Sequence, residues 1–299
     1  MGTTETKPES AVHPFTGYCQ LVGSLRASAK ISGMKRAVKS AAPGMDVDKP
    51  ISYGGHRFAP EVISYAVWLY FRFPLSLRMV EEMLAARGIE VTYETVRRWS
   101  VKFGLVIARR IRSSALARGD KWHLDEVVVT INGKKHWLWR GVDQHGAVLD
   151  VLVQSRRDKR AAKRLMRKLL KKHGRAPRVL ITDKLRSYVA ANKDLGVNVE
   201  HRQHKGLNNR AENSHQPTRV REKVMRRFKS ARHLQRFAST HDQVANLFMH
   251  CRHNTKAQIK RDARTRAFAA WKRVSCAPMM ASLLRGATLT TSFGCDPTS

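Results

Sequence analysis

Three acidic residues stand in settings that suit metal chemistry on a phosphate backbone. Asp125 lies in a β-rich run, Asp183 follows a short apolar run, and Glu212 lies in a predicted helix. Carboxylate oxygens, without thiolates or a histidine pair at metal spacing, favour a hard ion such as Mg²⁺ or Mn²⁺. Two such ions about 3.5 to 4 Å apart can activate an attacking oxygen and stabilise a leaving oxygen. The residue types therefore predict phosphodiester chemistry, with water or a 3′-hydroxyl as the nucleophile.

Each of the three acids also has an ordinary structural explanation. Asp125 could be a solvent-exposed acid at a strand end, and Glu212 could pair with a surface lysine or arginine. Asp183 precedes a predicted helix, and for this residue alone the N-cap role is the more common one. The metal hypothesis is favoured because all three explanations would have to hold together.

Three neighbouring acids fit a metal role less well. Glu126 should point to the opposite sheet face from Asp125, because side chains alternate along a strand. Asp143 lies at a hairpin end, and Asp158 is placed to cap a basic helix. We therefore expect structural roles for these three residues.

The charge of the chain predicts a polyanionic partner. Its 57 Lys and Arg outnumber 23 Asp and Glu, which gives a net charge of +34 and a pI near 11.0. Each phosphate that a basic side chain neutralises releases condensed counterions, so nucleic acid is the leading candidate. An anionic membrane surface and a ribosome-like packing role are the alternatives.

Length and composition indicate a folded protein of about two ordinary domains. The chain has 299 residues, 42% of them hydrophobic, which is enough to build cores. The four cysteines form no C-x-x-C pair, so neither a disulfide framework nor a zinc site is supported. Since no apolar stretch approaches 18 residues and the N-terminus does not resemble a signal peptide, we expect a cytoplasmic, nucleoid-associated protein.

The first third of the chain predicts an all-α unit. Residues 1–50 lack periodicity and are expected to be a disordered extension. Residues 51–104 predict three short helices, the second capped by Ser76 and the third opened by Thr92, which resemble a helix-turn-helix unit. On the third helix Arg97 and Arg98 lie off the apolar face, where they could meet phosphates or base edges in a major groove. Any small three-helix bundle has the same periodicity.

The rest of the chain alternates strands and helices. A basic connector is expected at residues 105–120, followed by an α/β domain at 121–274 and a tail at 275–299. Within the domain the element order is β-β-β-α-β-α-β-α, with Asn132-Gly133 as a strong hairpin turn. This order predicts a mixed sheet with flanking helices, antiparallel at first and parallel after the first helix, because a strand-helix-strand connection normally returns parallel. Its last strand is expected at residues 197–200 and a long helical region from about residue 208.

Basic residues around Glu212 are candidates for DNA contact. Arg210 precedes it, while Asn213, His215, Gln216 and Arg219 follow it at helical spacings. Residues 219–236, which include Arg226 and Arg227, predict a phosphate-binding helical surface with a packed underside. A simple solvated basic helix is an equally good interpretation of any single one of them.

Four stretches of the chain resemble one known family. Residues 123–126 (HLDE), 182–184 (TDK), 200–203 (EHRQ) and 208–212 (NNRAE) look like the core of bacterial DDE transposases of the insertion-sequence-six type. The likeness covers about residues 51 to 274. It implies a ribonuclease-H-like fold, a metal triad of Asp125, Asp183 and Glu212, Mg²⁺ dependence, recognition of terminal inverted repeats and strand transfer that typically yields cointegrates. The interval of 28 residues between Asp183 and Glu212 is shorter than we expect in many relatives.

The sequence as a whole predicts a transposase. We expect double-stranded DNA as its partner, both as terminal inverted repeats and as target, no membrane association, and a homodimer or larger assembly on paired DNA ends. A non-catalytic DNA-binding repressor or architectural protein would share the basic helices without needing the triad. A metal-dependent nuclease would share the triad but would not join DNA ends.

Overall fold

A computed structural model describes residues 50–114, 119–197, 199–249 and 256–277 of the protein. The expected extension at 1–50 and tail at 275–299 lie almost wholly outside these residues. No helix in the described parts is both long enough and apolar enough to span a membrane.

The described residues begin with the three expected helices, at Pro60–Arg72 (α1), Leu77–Ala85 (α2) and Tyr93–Ser113 (α3). The two predicted caps are confirmed. The Ser76 hydroxyl accepts a hydrogen bond from the Met79 amide, and the Thr92 hydroxyl accepts one from the Thr95 amide.

The third helix is longer than predicted. It runs through Gly104 to Ser113, so the expected basic connector at 105–120 begins inside a helix. Gly104 lies within α3 and does not end it, because its role is in helix packing. A Cβ at this position would lie 2.8 Å from a ring carbon of Phe71, so glycine allows α1 and α3 to pack closely.

In the described part of the chain, five strands form one mixed sheet in the order β3-β2-β1-β4-β5. Strands β1 to β3 are antiparallel neighbours, while β4 and β5 run parallel to β1. This arrangement confirms the ribonuclease-H-like sheet. The strands lie at Lys121–Ile131 (β1), Lys134–Asp143 (β2), Val148–Gln154 (β3), Val179–Thr182 (β4) and Glu200–Gln203 (β5).

Two local expectations about the sheet had different outcomes. The hairpin between β1 and β2 turns at Asn132 and Gly133, which both have positive φ, as a two-residue hairpin turn requires. The last strand was expected at residues 197–200 and lies instead at Glu200–Gln203. Its register is set by pairing with β4, which local sequence pattern does not encode.

One face of the sheet is covered by helices α4 (Lys159–His173) and α5 (Arg186–Leu195). Trp122, Leu124 and Trp139 of the sheet are buried beneath them. Helix α4 begins at the predicted cap, since the Asp158 carboxylate accepts a hydrogen bond from the Ala161 amide at 2.8 Å.

The helical region after β5 is broken rather than continuous. It comprises α6 (Asn209–Ser214), α7 (Gln216–Val224) and α8 (Ala231–Leu247), and a further helix follows at Ala257–Ser275 (α9). The first break is at His215. The second contains Arg226 and Arg227, both with positive φ, a conformation that non-glycine residues adopt rarely.

The N-terminal helices share a core with the last helices and the other face of the sheet. Phe71 of α1 packs on Phe237 of α8 with ring centroids 5.8 Å apart. The Trp271 indole of α9 donates to the Ser64 hydroxyl at 3.0 Å. The first three helices therefore pack directly against the elements that follow the sheet.

Candidate active site

Adjacent parallel strands bring Asp125 and Asp183 together. The last register pair between β1 and β4 is Leu124 with Thr182; Asp125 is the next residue of β1, and Asp183 directly follows the end of β4. Their side chains are 14% and 25% exposed. Burial, and then the charge of Asp183, raises the pKa of Asp125 to about 6. The two carboxylates are therefore close enough to repel each other in a partly desolvated site.

The surroundings of Asp183 bear on its alternative role as a helix cap. Its Oδ1 accepts a hydrogen bond from the Leu185 amide at 3.0 Å. Helix α5 begins later, at Arg186, and Leu185 occupies the N-cap position. Asp183 therefore shapes the turn after β4 without capping the helix.

Helix α6 holds Glu212 against the sheet through contacts at both of its ends. At its start, the Asn208 amide group donates to the Leu124 carbonyl of β1 at 3.0 Å, directly before Asp125. At its end, the Arg140 guanidinium of β2 donates to the Ser214 carbonyl. Glu212 itself is partly exposed. The structure thus fastens helix α6, which carries Glu212, to strands β1 and β2 beside Asp125.

The side chains of the three acids do not form a closed cage. In the described parts of the chain, no three Asp, Glu, His or Cys side chains come close enough together to hold one ion. A Mg²⁺ ion usually keeps several waters and binds one or two carboxylates together with substrate phosphates. The pair of oxygen donors at Asp125 and Asp183 fits such an ion, because a divalent cation would offset their mutual repulsion.

His215, a sequence-based candidate for DNA contact, is buried beside Asp125. Its ring is buried, and Nε2 lies 3.3 Å from Asp125 Oδ2. Burial lowers the pKa of His215 well below its usual value, so the ring is neutral near pH 7. The contact lacks hydrogen-bond geometry, and neither ring nitrogen has a hydrogen-bond partner among the described residues. The cause is the helix break, which turns His215 toward the sheet.

A buried ion pair between β2 and α8 also supports helices α6 and α7. The sequence pattern did not predict this pair. Arg140 donates to both carboxylate oxygens of Asp242 in α8, at 3.2 and 3.1 Å, and to the Thr218 hydroxyl at 2.8 Å. Arg140 and Asp242 are almost fully buried. An arginine directly after the apolar run of residues 137–139 in β2 was the available signal.

A second buried carboxylate lies on the opposite face, as predicted for Glu126. It accepts a hydrogen bond from the Tyr188 hydroxyl at 2.7 Å and pairs with Arg157 at 2.6 Å. Burial raises the pKa of Glu126 to about 7. Arg157 also lies over the Trp137 ring, 5.1 Å from its centre, and 3.7 Å from Asp183 Oδ2. Sequence analysis assigned no role to Arg157.

A basic groove of about 980 Å³ joins the N-terminal helices to the turn between α7 and α8. Three of the predicted DNA-binding residues, Arg97, Arg226 and Arg227, line it although they are far apart in sequence. Among the described residues that line the groove there is no acid. The other basic residues of its wall are Arg78, Lys229, Arg232 and Arg236.

The other three predicted DNA-binding residues lie elsewhere. Arg98 is exposed on α3 and lies 3.6 Å from Glu94, and Arg219 is exposed on α7. The Arg210 guanidinium donates to the Gln144 carbonyl in the turn between β2 and β3.

Arg221 corrects the expectation of a uniformly phosphate-binding surface at residues 219–236. It is 2% exposed and stacks between the rings of Tyr70 and Phe237, 4.8 and 4.9 Å from their centres. Its guanidinium also donates to the carbonyls of Phe73 and Leu75. This side chain ties α7 to the N-terminal helices and is not available to DNA.

The comparisons of the amino-acid sequence with known proteins indicate a DDE transposase. A family model described as a DDE domain matches residues 119–251. The transposase for insertion sequence element IS257 in transposon Tn4003 of Staphylococcus aureus is 32% identical over 170 residues, which span 55% of this chain and 75% of that protein. The transposase for insertion sequence-like element IS431mec of Staphylococcus aureus strain Mu50 is likewise 32% identical over 170 residues, with the same coverage of 55% and 75%.

Among solved structures, the HTLV-2 integrase catalytic core domain in complex with magnesium is 19% identical. The match covers 33% of this chain and 68% of that chain, with a TM-score of 0.28. The fold assignment rests on the strand order of the sheet.

Proposed function

This chain belongs to the insertion-sequence-six family of DDE transposases, and we propose that Asp125, Asp183 and Glu212 are its catalytic metal ligands. They would hold Mg²⁺, or Mn²⁺ in its place, for DNA cleavage and strand transfer. The observation that carries this proposal is the juxtaposition of Asp125, which lies within β1, and Asp183, which directly follows the adjacent parallel strand β4.

Each ligand contributes a separate part of the site. Asp125 and Asp183 present two carboxylates whose repulsion disfavours the empty site, and α6 presents Glu212 from the side through its contacts with β1 and β2. When bound, the divalent ions supply the positive charge that lowers the pKa of the attacking oxygen and stabilises the leaving oxygen. The partial burial of Asp125 limits access of bulk water to this point.

We further propose that α1 to α3 form a helix-turn-helix unit that binds the terminal inverted repeats. Arg97 and Arg98 of α3 are exposed, and Arg97 lines the same groove as Arg226 and Arg227. Lysine and arginine side chains on one surface neutralise phosphates and position the duplex. In this proposal residues 51–104 bind the element end and residues 121–274 form the catalytic domain.

Two further basic residues complete the proposed DNA contacts. Arg219 is exposed on α7, and Arg210 is partly buried beside the turn between β2 and β3. Pairing two element ends requires at least a homodimer on DNA, and target DNA must then reach the same carboxylates.

Substitution of the three acids tests the catalytic proposal. We expect Asp125→Asn, Asp183→Asn and Glu212→Gln each to abolish cleavage and strand transfer in Mg²⁺ while leaving binding of the element end measurable. Products are separated on a denaturing gel from an oligonucleotide that carries the element's terminal repeat and flanking DNA. Asp194→Asn is the matched control, since Asp194 is a surface acid paired with Lys159 and Lys163.

The same assay separates the rival functions. Joining activity retained in all three variants would refute the triad. Cleavage by the wild type without joined products would identify a nuclease, and end binding without either product would favour a repressor or architectural protein.

The groove is tested through salt dependence. We expect Arg226→Ala and Arg227→Ala each to reduce the slope of log binding constant against log salt concentration by about 1, because each removes one phosphate contact. An unchanged slope in both variants would remove these residues from the DNA interface.

A further inference from the structure

Arg157 lies in the short connection between β3 and α4, beside the carboxylate site. The next residue, Asp158, caps α4 through the Ala161 amide, so the backbone that carries Arg157 is fixed at the helix start. The guanidinium lies 3.7 Å from Asp183 Oδ2. A cation is thus placed directly at the edge of the pair formed by Asp125 and Asp183.

Glu126 anchors this arginine from below. One carboxylate oxygen, Oε1, accepts hydrogen bonds from Arg157 Nε at 2.7 Å and pairs with Nη2 at 2.6 Å. The other, Oε2, accepts from the Tyr188 hydroxyl at 2.7 Å. The Glu126 side chain is 0% exposed, so it is itself out of reach of DNA. These contacts give Glu126 a structural role, although it is the neighbour of Asp125 in the sequence and does not face the proposed ions.

Trp137 fixes the plane of the guanidinium. The Arg157 Cζ lies 5.1 Å from the centre of the Trp137 ring, a distance typical of a cation–π contact. With one face on the ring and one edge on Glu126, the side chain loses little further freedom when it binds a ligand. It is nevertheless 39% exposed, beside the carboxylate pair.

We propose that Arg157 is a DNA-binding residue of the active site that contacts a phosphate next to the bond being cleaved, with Glu126 as its anchor. This inference rests on the proposed transposase function. An arginine needed only to neutralise Glu126 could be buried with it, whereas this one keeps more than a third of its surface in solvent. Its planar donors suit a phosphate, because arginine binds phosphate oxygens through paired N–H groups.

A double-mutant cycle between the protein and the DNA tests this contact. The substrate is the element's terminal repeat with flanking DNA, in which each phosphate within two nucleotides of the cleaved bond is replaced singly by a neutral methylphosphonate. Cleavage rates and end binding by fluorescence anisotropy are measured for the wild type and Arg157→Ala. We expect Arg157→Ala to slow cleavage of the unmodified duplex by about tenfold to a hundredfold, the loss typical of one hydrogen bond to a charged group.

The test depends on whether the effects of the Arg157 substitution and of the phosphate substitution are coupled, that is, non-additive. At one of the flanking phosphates, neutral substitution should slow the wild type by a similar factor but leave Arg157→Ala nearly unchanged, because the contact is already lost. Additive effects at every tested phosphate would overturn the proposal. If the wild type does not cleave the unmodified duplex, the proposed function fails instead, so the two failures are distinguishable.

Three variants separate phosphate contact from structural support. Arg156→Ala removes the exposed neighbouring arginine and should show additive behaviour at all phosphates. Arg157→Lys keeps the charge but not the paired donors, and should show the same coupled phosphate with a smaller loss. Glu126→Gln should weaken coupling at that phosphate while the protein still melts cooperatively. Full coupling in Glu126→Gln would contradict the anchoring role of Glu126.

Discussion

Two carboxylates on the same side of the sheet, Asp125 and Asp242, have opposite electrostatic surroundings. Asp242 is paired with Arg140, whose guanidinium also contacts Thr218 and the Ser214 carbonyl. Asp125 is the direct cross-strand neighbour of that same arginine, yet the charge of Arg140 is directed to Asp242. The Asp125 carboxylate lies 3.3 Å from the neutral ring of His215, and the Glu126 amide and the charge of Arg157 offset its raised pKa only in part.

The difference agrees with a structural role for Asp242 and with the metal-binding role that we propose for Asp125. A buried charge is tolerated when it is paired and hydrogen-bonded, as Asp242 is. Asp125 is left under-compensated, with a raised pKa and a second carboxylate nearby. Such a site is costly for the fold alone and becomes favourable when a cation binds. The pairing of Arg140 with Asp242 also keeps that arginine from neutralising Asp125.

The largest expected effect comes from breaking the compensated pair. Asp242→Asn should lower the free energy of unfolding by about 3 to 5 kcal/mol, because it leaves the Arg140 charge buried without its partner. Urea denaturation measures this loss. The double variant Arg140→Met with Asp242→Leu should recover much of it, since neither charge then remains. A double variant as unstable as Asp242→Asn would contradict the ion-pair explanation.

Removing the charge of Asp125 should have the opposite effect and raise the free energy of unfolding. The pKa of Asp125 is raised by burial to about 6, above its ordinary value of 3.8, so the folded state binds the proton more tightly. Stability of the wild type should therefore fall as the pH rises from about 4 to about 6. In metal-free buffer Asp125→Asn should lack this part of the decline and be more stable at pH 7 by up to about 3 kcal/mol. Chemical denaturation across this pH range measures the difference, and a variant with the same profile as the wild type would refute it.

Binding of the ion itself should give an intermediate effect. Mg²⁺ at ten times its dissociation constant should stabilise the wild type by about 1.4 kcal/mol, because it binds only the folded state. Thermal unfolding should show this rise for the wild type and for the control Asp194→Asn. It should be absent in Asp125→Asn and Asp183→Asn, and a rise that persists in both would place the ion elsewhere.

The smallest expected effect concerns Glu126, another buried carboxylate. Tyr188→Phe removes one hydrogen bond to it and should cost about 1 kcal/mol of stability, measured by urea denaturation. Arg157 still partly compensates Glu126, so the loss should be smaller than that of Asp242→Asn. An equal loss would mean that Tyr188, and not Arg157, is the main partner of Glu126.

Local signals predicted much of the fold. The hairpin at Asn132 and Gly133, the caps at Ser76, Thr92 and Asp158, and the mixed sheet all follow from turn chemistry, capping and periodicity. The errors arose where tertiary contacts override local pattern. Helix α3 continues through Gly104 because Phe71 packs there, and the helix after Glu212 breaks at His215, whose ring is buried against the sheet.

For the candidate site, the sequence by itself determined the residue types and their order along the chain. It placed Asp125 on a strand, Asp183 after a strand and Glu212 on a helix, within a strongly basic chain. These features depend on short-range pattern and on composition, which need no knowledge of the fold.

Only the tertiary structure decided how charges are shared among residues that are distant in sequence. It pairs Arg140 with Asp242 and not with Asp125, holds Arg157 on Glu126 beside Asp183, and brings Arg97 to the same groove as Arg226. The physical reason is that compensation of a buried charge depends on distance and burial in three dimensions, and neither quantity is encoded in local spacing.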